Sequence, residues 1–551
     1  MSERESAVTQ VADSSAVVRR LARYLSKRWA ECVLSFVIGS ACLLSLYWVF
    51  TVPILQNPDE NSHIDYAFSI YSADRLLTVR QPPSEWNVHA RLIEGVEGAA
   101  YDYISHEYTL YLIEATDFRR IRFHSDERVP PGYGTVSYYR NLDAAAPHSP
   151  AMVQDLRPQD NPWLITGYPF AYYAVLAIWL KLVSVTGDGP ARLFFAARIF
   201  SVLMLALSLG LSYAILRELR LTKLRSLLLT AVVGFFPVTI FVSASVQPDT
   251  LTWTLMSICF YLALLLRRKV PTPRLVILLG IALGLLLVTK YHFYLFTLLP
   301  IVAMGGSELV FRRRAGKELL GFLAILLLPS VLLFAVQLWV VWGAPSITGS
   351  NLRYSTSGHL EGIKNAILAY YRGGMAFVSY WGTFGWTDTQ LVIWSPSMQR
   401  RILHLLSGLV LLVMLLLLFR IEQVMTRLMM LARRGQWRFA LRILFSDPLI
   451  HSHLIFSVFM IVLFAWHQNG FPAQGRHWFP YFLSGFLITT QVAPRALTHR
   501  ITQAAVSGML IIGLVTYCVV GNFYSIKAIK QRYYAPQQIS QAESGFPSLT
   551  L

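Results

Sequence analysis

Charge is what this chain lacks. Of its 551 residues only 14% are Asp, Glu, Lys or Arg, while 55% are hydrophobic and the mean hydropathy is +0.48. That scarcity excludes a string of soluble domains, the reading that length alone invites. Cysteine is scarce too: Cys32, Cys42, Cys259 and Cys518 lie inside or beside apolar blocks, with no paired spacing for zinc or redox chemistry and no disulfide framework. There is no Gly-Lys-Ser/Thr phosphate loop, dinucleotide fingerprint, Gly-x-Ser-x-Gly elbow or His-Glu-x-x-His pair, which removes the common soluble-enzyme chemistries. Internal repeats and low-complexity tracts are likewise missing.

What is there is a series of apolar blocks of about 18 to 25 residues, long enough at 1.5 Å per helical residue to cross a hydrocarbon core of roughly 30 Å. The fold class is therefore an all-α polytopic membrane protein, with about eleven spans. They are expected near 31–54, 193–216, 226–245, 250–266, 274–289, 293–310, 319–342, 401–420, 449–467, 478–494 and 501–524. The first resembles a signal peptide in its Arg19–Arg28 flank, but it is too long and lacks a small-residue cleavage pattern, so it is read as an uncleaved helix.

The net charge of +18 does not point to nucleic acid, because the basic residues are sorted by loop. With the N-terminus cytoplasmic, the inner loops collect Arg217, Arg220, Lys223 and Arg225, then Arg267, Arg268, Lys269 and Arg274, then Arg312–Arg314 and Lys317, then 420–442, then Arg495 and Arg500. The chain divides into a cytoplasmic N-terminal segment (1–30), the first span (31–54), a large outer loop with juxtamembrane helices (55–192), spans two to seven (193–342), a second outer loop (343–400), spans eight to eleven (401–524) and an outer C-terminal tail (525–551). Spans five and six occupy little more than one hairpin; were only one to cross, everything downstream would invert. The apolar segment 168–185 is laid in the outer interface, since a full crossing there would put the Arg217–Arg225 cluster outside.

This topology gathers the unusual polar residues at the outer boundary, where ionisable groups are costly and their clustering implies a polar cavity. Asp59, Glu60 and His63 open a short helix whose Ile64, Ala67, Phe68 and Tyr71 form an apolar stripe expected to meet the interface. Asp59 and His63 are one turn apart, so the imidazole can orient a carboxylate that removes a proton; equally, Asp59 can simply cap the helix behind Pro58. Asp249 reads both as an N-cap and as a site acid. Lys290, beside Tyr291 and His292, either snorkels or meets a phosphate as a point charge, and phosphate is preferred. Arg476 and His477 stand at the level of a lipid phosphate, where ordinary headgroups bind as well. The segment 380–388, with Trp386 and Asp388, reads as an aromatic belt or as a sugar platform, and Arg372 lies in the same loop.

Six motifs in order carry a resemblance: Pro-Asp-Glu-x-x-His at 58–63, Tyr-Pro-Phe-x-Tyr-Tyr at 168–173, Gln-Pro-Asp at 247–249, Thr-Lys-Tyr at 289–291, Gly-Thr-Phe-Gly-Trp-Thr-Asp at 382–388 and Gly-Arg-His at 475–477. Together, from about Pro53 to Pro480, they look like the DUF2142 family of predicted bacterial membrane proteins, which resemble GT-C glycosyltransferases. The resemblance implies a GT-C-like fold in the bacterial inner membrane. It also implies transfer of a monosaccharide from a polyprenyl-phosphate carrier to a glycan, lipid or protein hydroxyl at the periplasmic face, in cell-surface polysaccharide assembly. By the same resemblance Asp59 acts on the acceptor, with Glu60 as the adjacent acid and His63 assisting. Lys290, Arg372, Arg476 and His477 would meet the donor phosphate, and Asp249, Tyr291, His292, Trp386 and Asp388 would meet sugar or acceptor. GT-C relatives differ in metal use, so a divalent cation stays open and no other cofactor is implied. The competing class is a transporter or flippase of lipid-linked glycans, which should show inverted repeats or a pair of broken helices carrying charge at mid-bilayer. Neither is visible in the sequence.

Overall fold

The computed structural model describes residues 28–74, 76, 106–122, 127–146, 168–268, 272–312, 316–341, 383–384, 389–390, 396–466 and 475–534. Apart from a two-residue antiparallel ladder pairing Thr383–Phe384 with Thr389–Gln390, these residues are helical or connect helices. Among the described residues six helices are long and apolar enough to cross a membrane, or up to eight if each of two bent pairs counts as one span.

In chain order the helices of six residues or more are α1 (Arg28–Thr51), α2 (Glu60–Ala73), α3 (Glu107–Ala115), α4 (Val136–Ala144), α5 (Ala171–Ser184), α6 (Pro190–Glu218), α7 (Lys223–Phe235) and α8 (Pro237–Ser243). They continue with α9 (Asp249–Arg268), α10 (Pro273–Leu287), α11 (Tyr291–Phe311), α12 (Gly316–Val341), α13 (Pro396–Arg433), α14 (Trp437–Leu444), α15 (Pro448–Trp466), α16 (Phe482–Leu487) and α17 (Arg500–Tyr534).

Several expected spans take a different form. The one near 226–245 bends by 60° between α7 and α8. Pro237 is the cause: it has no N–H to donate and drives Phe236 into extended backbone, with ψ 129°. The Phe235 carbonyl left open accepts a hydrogen bond from the Asn522 amide at 2.5 Å. The pair α14 and α15 bends by 68°. The span near 478–494 is a composite: a 3-10 turn (Gly475–Tyr481), α16, a π segment (Ile488–Val492) and a second 3-10 turn (Ala493–Ala496). The last helix does not stop near 524 but runs to Tyr534.

The segments expected as spans five and six are α10 and α11; α11 is long and apolar enough to cross a membrane, whereas α10, at 15 residues, is shorter. At one end Lys290, before α11, pairs with Asp249 at the start of α9; at the other, Glu308 on α11 meets Arg267 on α9 at 3.8 Å. Asp249 to Arg267 and Lys290 to Glu308 are each 18 residues, about 27 Å of helix. The two helices therefore run parallel, and α10 returns between them. Gly280 and Gly284 let α10 approach α12 closely: a Cβ at Gly280 would lie 2.6 Å from the Leu326 carbonyl oxygen.

The arginine-bearing loops meet at the Glu308 end. Glu308 takes Arg442 at 2.7 Å and Arg312 at 3.6 Å as well as Arg267, and Arg268 pairs with Glu218 at 2.6 Å. The opposite end, where α1 closes and α2, α5 and the loops before α9 and α11 converge, holds the candidate site.

Candidate functional site

α1 ends at Thr51, and its last carbonyls need donors that no continuing helix supplies. Arg198, inside the apolar run of α6, supplies them. Its Nη1 donates to the Val49 and Val52 carbonyls at 2.8 and 2.6 Å, and its Nη2 to the Pro53 carbonyl at 2.8 Å. The remaining donors go to Glu60, Nε to Oε1 at 2.8 Å and Nη2 to Oε2 at 2.7 Å. All five guanidinium N–H groups are thereby used.

Glu60 is equally saturated. Besides Arg198, its Oε1 accepts the Val246 N–H at 2.9 Å and its Oε2 accepts the Asn57 amide at 3.2 Å. Both side chains are 0% exposed. Four accepted bonds fill the carboxylate, so Glu60 can meet no further partner without dismantling the joint between α1, α2, α6 and the loop before α9. This geometry gives Glu60 a positioning task.

Asp59 is held next to that joint with φ 62°, a left-handed conformation that is uncommon away from glycine. It occupies the N-cap of α2 but its side chain makes no capping bond, and it is partly exposed. The conformation is imposed by its fixed neighbours: Asn57 on Glu60, and the Pro58 carbonyl accepting from the Gln247 amide at 2.9 Å. Backbone strain held in this way is characteristic of functional loops.

His63 takes a partner of its own. Its Nδ1 lies 2.8 Å from the Tyr173 hydroxyl, and its ring stands edge-on to Tyr168 at 4.8 Å. The expected interfacial stripe of α2 is covered by protein: Ile64, Ala67, Phe68 and Tyr71 are all buried, because α5 and α3 pack on this helix. Asp65, not anticipated from sequence, accepts the His106 N–H at 3.0 Å, and His106 Nε2 lies 2.7 Å from the Ser72 hydroxyl. Burial pushes the His106 imidazole down to about 3, so it stays neutral.

Asp249 and Lys290 form an ion pair, with side chains 7% and 21% exposed. Of the two open readings for Asp249, its carboxylate serves Lys290; that lysine is charge-balanced in this state. Tyr291 is exposed at the start of α11, and the His292 ring lies 4.5 Å from Phe293. Arg476 and His477 fall on the 3-10 turn before α16, and for these two residues the backbone alone is described. Arg372, Trp386 and Asp388 lie outside the described residues. Among the described residues no three His, Cys, Asp or Glu side chains converge as a metal site requires.

Sequence reasoning missed Arg198, the residue on which the site end depends. A signal existed: an arginine within an apolar span is a functional or structural hypothesis by default.

Fold and site together define a polytopic helical membrane protein with a polar, charge-paired site at one end of its bundle. The chain belongs to the family described as predicted membrane protein (DUF2142), which matches residues 42–484. No curated protein matches it. Five chains of known structure do. One is the crystal structure of ArnT from Cupriavidus metallidurans bound to undecaprenyl phosphate, 11% identical, with 90% of this chain and 77% of that chain covered and a TM-score of 0.39.

Proposed function

We propose that this protein is a membrane glycosyltransferase of the bacterial inner membrane that transfers a monosaccharide from a polyprenyl-phosphate carrier to a hydroxyl acceptor at the extracytoplasmic face. The observation that carries the reading is Asp59: a partly exposed carboxylate in left-handed backbone, fixed by the saturated Glu60–Arg198 joint. The chemistry needs such a group. Asp59 takes the acceptor's hydroxyl proton as that oxygen attacks the anomeric carbon; the bond from that carbon to the phosphate oxygen breaks, and polyprenyl phosphate departs with the electron pair.

Departing phosphate needs cations. Lys290 supplies one by turning from Asp249 to the donor, and Arg476, His477 and Arg372 are the further candidates. Asp249, released, joins Tyr291, His292, Trp386 and Asp388 as the group proposed for sugar and acceptor hydroxyls. His63, held by Tyr173, keeps the first turn of α2 in place beneath Asp59.

Transport of a lipid-linked glycan is the second reading, and the bend at Phe236 and the composite segment 475–496 give it the broken helices that the sequence did not reveal. The bend at Phe236 is apolar, however, and its open carbonyl is satisfied by Asn522, which leaves no charge there for a substrate.

One assay separates the two. Membranes carrying the protein are given a radiolabelled polyprenyl-phosphate monosaccharide and an acceptor fraction, and Asp59→Asn is expected to insert normally yet lose transfer by about 10²-fold or more. Wild-type transfer in that variant, or movement of intact labelled lipid across the bilayer with its sugar bond unbroken, overturns the proposal.

A further inference from the structure

A cavity lies outside the site, on the outer surface of the same bundle end. It is a groove of about 850 Å³ between the end of α1, the loop before α4 and the last turns of α17. Its walls are fixed. The Ile54 N–H donates to the Tyr133 hydroxyl at 2.5 Å, and the Tyr534 hydroxyl donates to the Thr51 carbonyl at 2.9 Å. Arg532 staples the end of α17 to the outer segment through the Glu127 and Ile121 carbonyls, both at 2.8 Å. A groove built this way exists before any ligand arrives.

Its lining is ordered by depth. Phe523, Lys527, Lys530 and Tyr534 follow one another at spacings of four, three and four, so they form one stripe along a single face of α17. Phe523 lies about 6 Å further along the helix axis than Lys527, towards the middle of the bundle, and Phe50 of α1 faces the same space. Lys527 and Lys530 are exposed, no acidic residue is among the described lining residues, and no ion pair joins either lysine to a described carboxylate. Aromatic rings below and two cations above match the division of a phospholipid into chain and phosphate. The arginines concentrated at the opposite end leave this pair as a separate basic feature.

We propose that this groove binds an anionic phospholipid of the surrounding leaflet, its phosphate between Lys527 and Lys530 and its acyl chain along Phe523 and Phe50. The lipid would lean on the turn whose other face is clasped by Arg198, one layer from Asp59.

Full-length protein in detergent is titrated with phosphatidylglycerol, with phosphatidylethanolamine of the same chains and with inorganic phosphate, and adducts are counted by native mass spectrometry. Expected is retention of phosphatidylglycerol over the other two, a fall on the order of tenfold in the Lys527→Gln/Lys530→Gln variant, and recovery in Lys527→Arg/Lys530→Arg. Equal retention of both lipids, inorganic phosphate binding as well as lipid, or a preference that survives in the double Gln variant overturns the proposal. So does phosphatidylglycerol binding that emerges only when the chain is cut after Tyr534, which would make the chain's own end the occupant.

Discussion

Neutralising Glu60 tests whether it positions or reacts. In Glu60→Gln the carboxylate that faces two guanidinium donors, the Val246 N–H and the Asn57 amide becomes an amide with one acceptor oxygen. Arg198 then stays buried with its charge uncompensated, and removing one partner of such a pair costs about 3–5 kcal/mol. Arg198→Met is expected at or above the top of that range. It orphans the Glu60 charge and also the Val49, Val52 and Pro53 carbonyls, each worth about 1–3 kcal/mol when left unsatisfied in the interior. The double variant removes both charges but keeps the orphaned carbonyls, so it falls short of the sum of the singles by about 2–3 kcal/mol. Cys259 and Cys518, 0% and 4% exposed, supply the readout: with Cys32 and Cys42 replaced by serine, a thiol-reactive fluorophore reports their exposure as purified protein is heated. Expected are earlier transitions for both singles and a double whose shift is smaller than the sum of the two single shifts. A Glu60→Gln protein that melts like wild type yet loses transfer as Asp59→Asn does would refute the positioning argument and make Glu60 the reacting acid.

Two further outcomes follow from packing and burial. Gly280→Ala is expected to loosen α10 from α12 by about 1–3 kcal/mol, since its Cβ meets a backbone carbonyl at 2.6 Å. Gly321→Ala on α12 meets nothing within 4 Å and is expected to be neutral or stabilising; the same melting assay shows whether the two differ in sign. For His106, whose folded value is lowered to about 3, the unfolded imidazole binds a proton that the folded one refuses. Its contribution is complete above about pH 6.5 and is lost as the pH falls towards 3, by up to about 1.4 kcal/mol per unit. Protection factors of the α3 amides, taken relative to intrinsic exchange at each pH, should fall over that window in wild type and less so in His106→Gln.

The sequence by itself determined the solvent. Blocks of apolar residues with so little charge have no stable home but a bilayer, and blocks of about 18 to 25 residues suit helices rather than barrel strands, so the class and the motif order of the family were legible. The sorting of arginines by loop was legible because charge is local. Tertiary structure decided the rest. Nothing in the spacing of Ile64, Ala67, Phe68 and Tyr71 says whether lipid or protein covers them; α5 and α3 do. Nothing in Pro58–His63 says which acid is consumed; a guanidinium 138 residues away takes Glu60 and leaves Asp59 beside it, partly exposed, in left-handed backbone. Periodicity records what each segment needs to bury, whereas the partner of a buried charge is chosen by where the other helices end, and that is known only once they are packed.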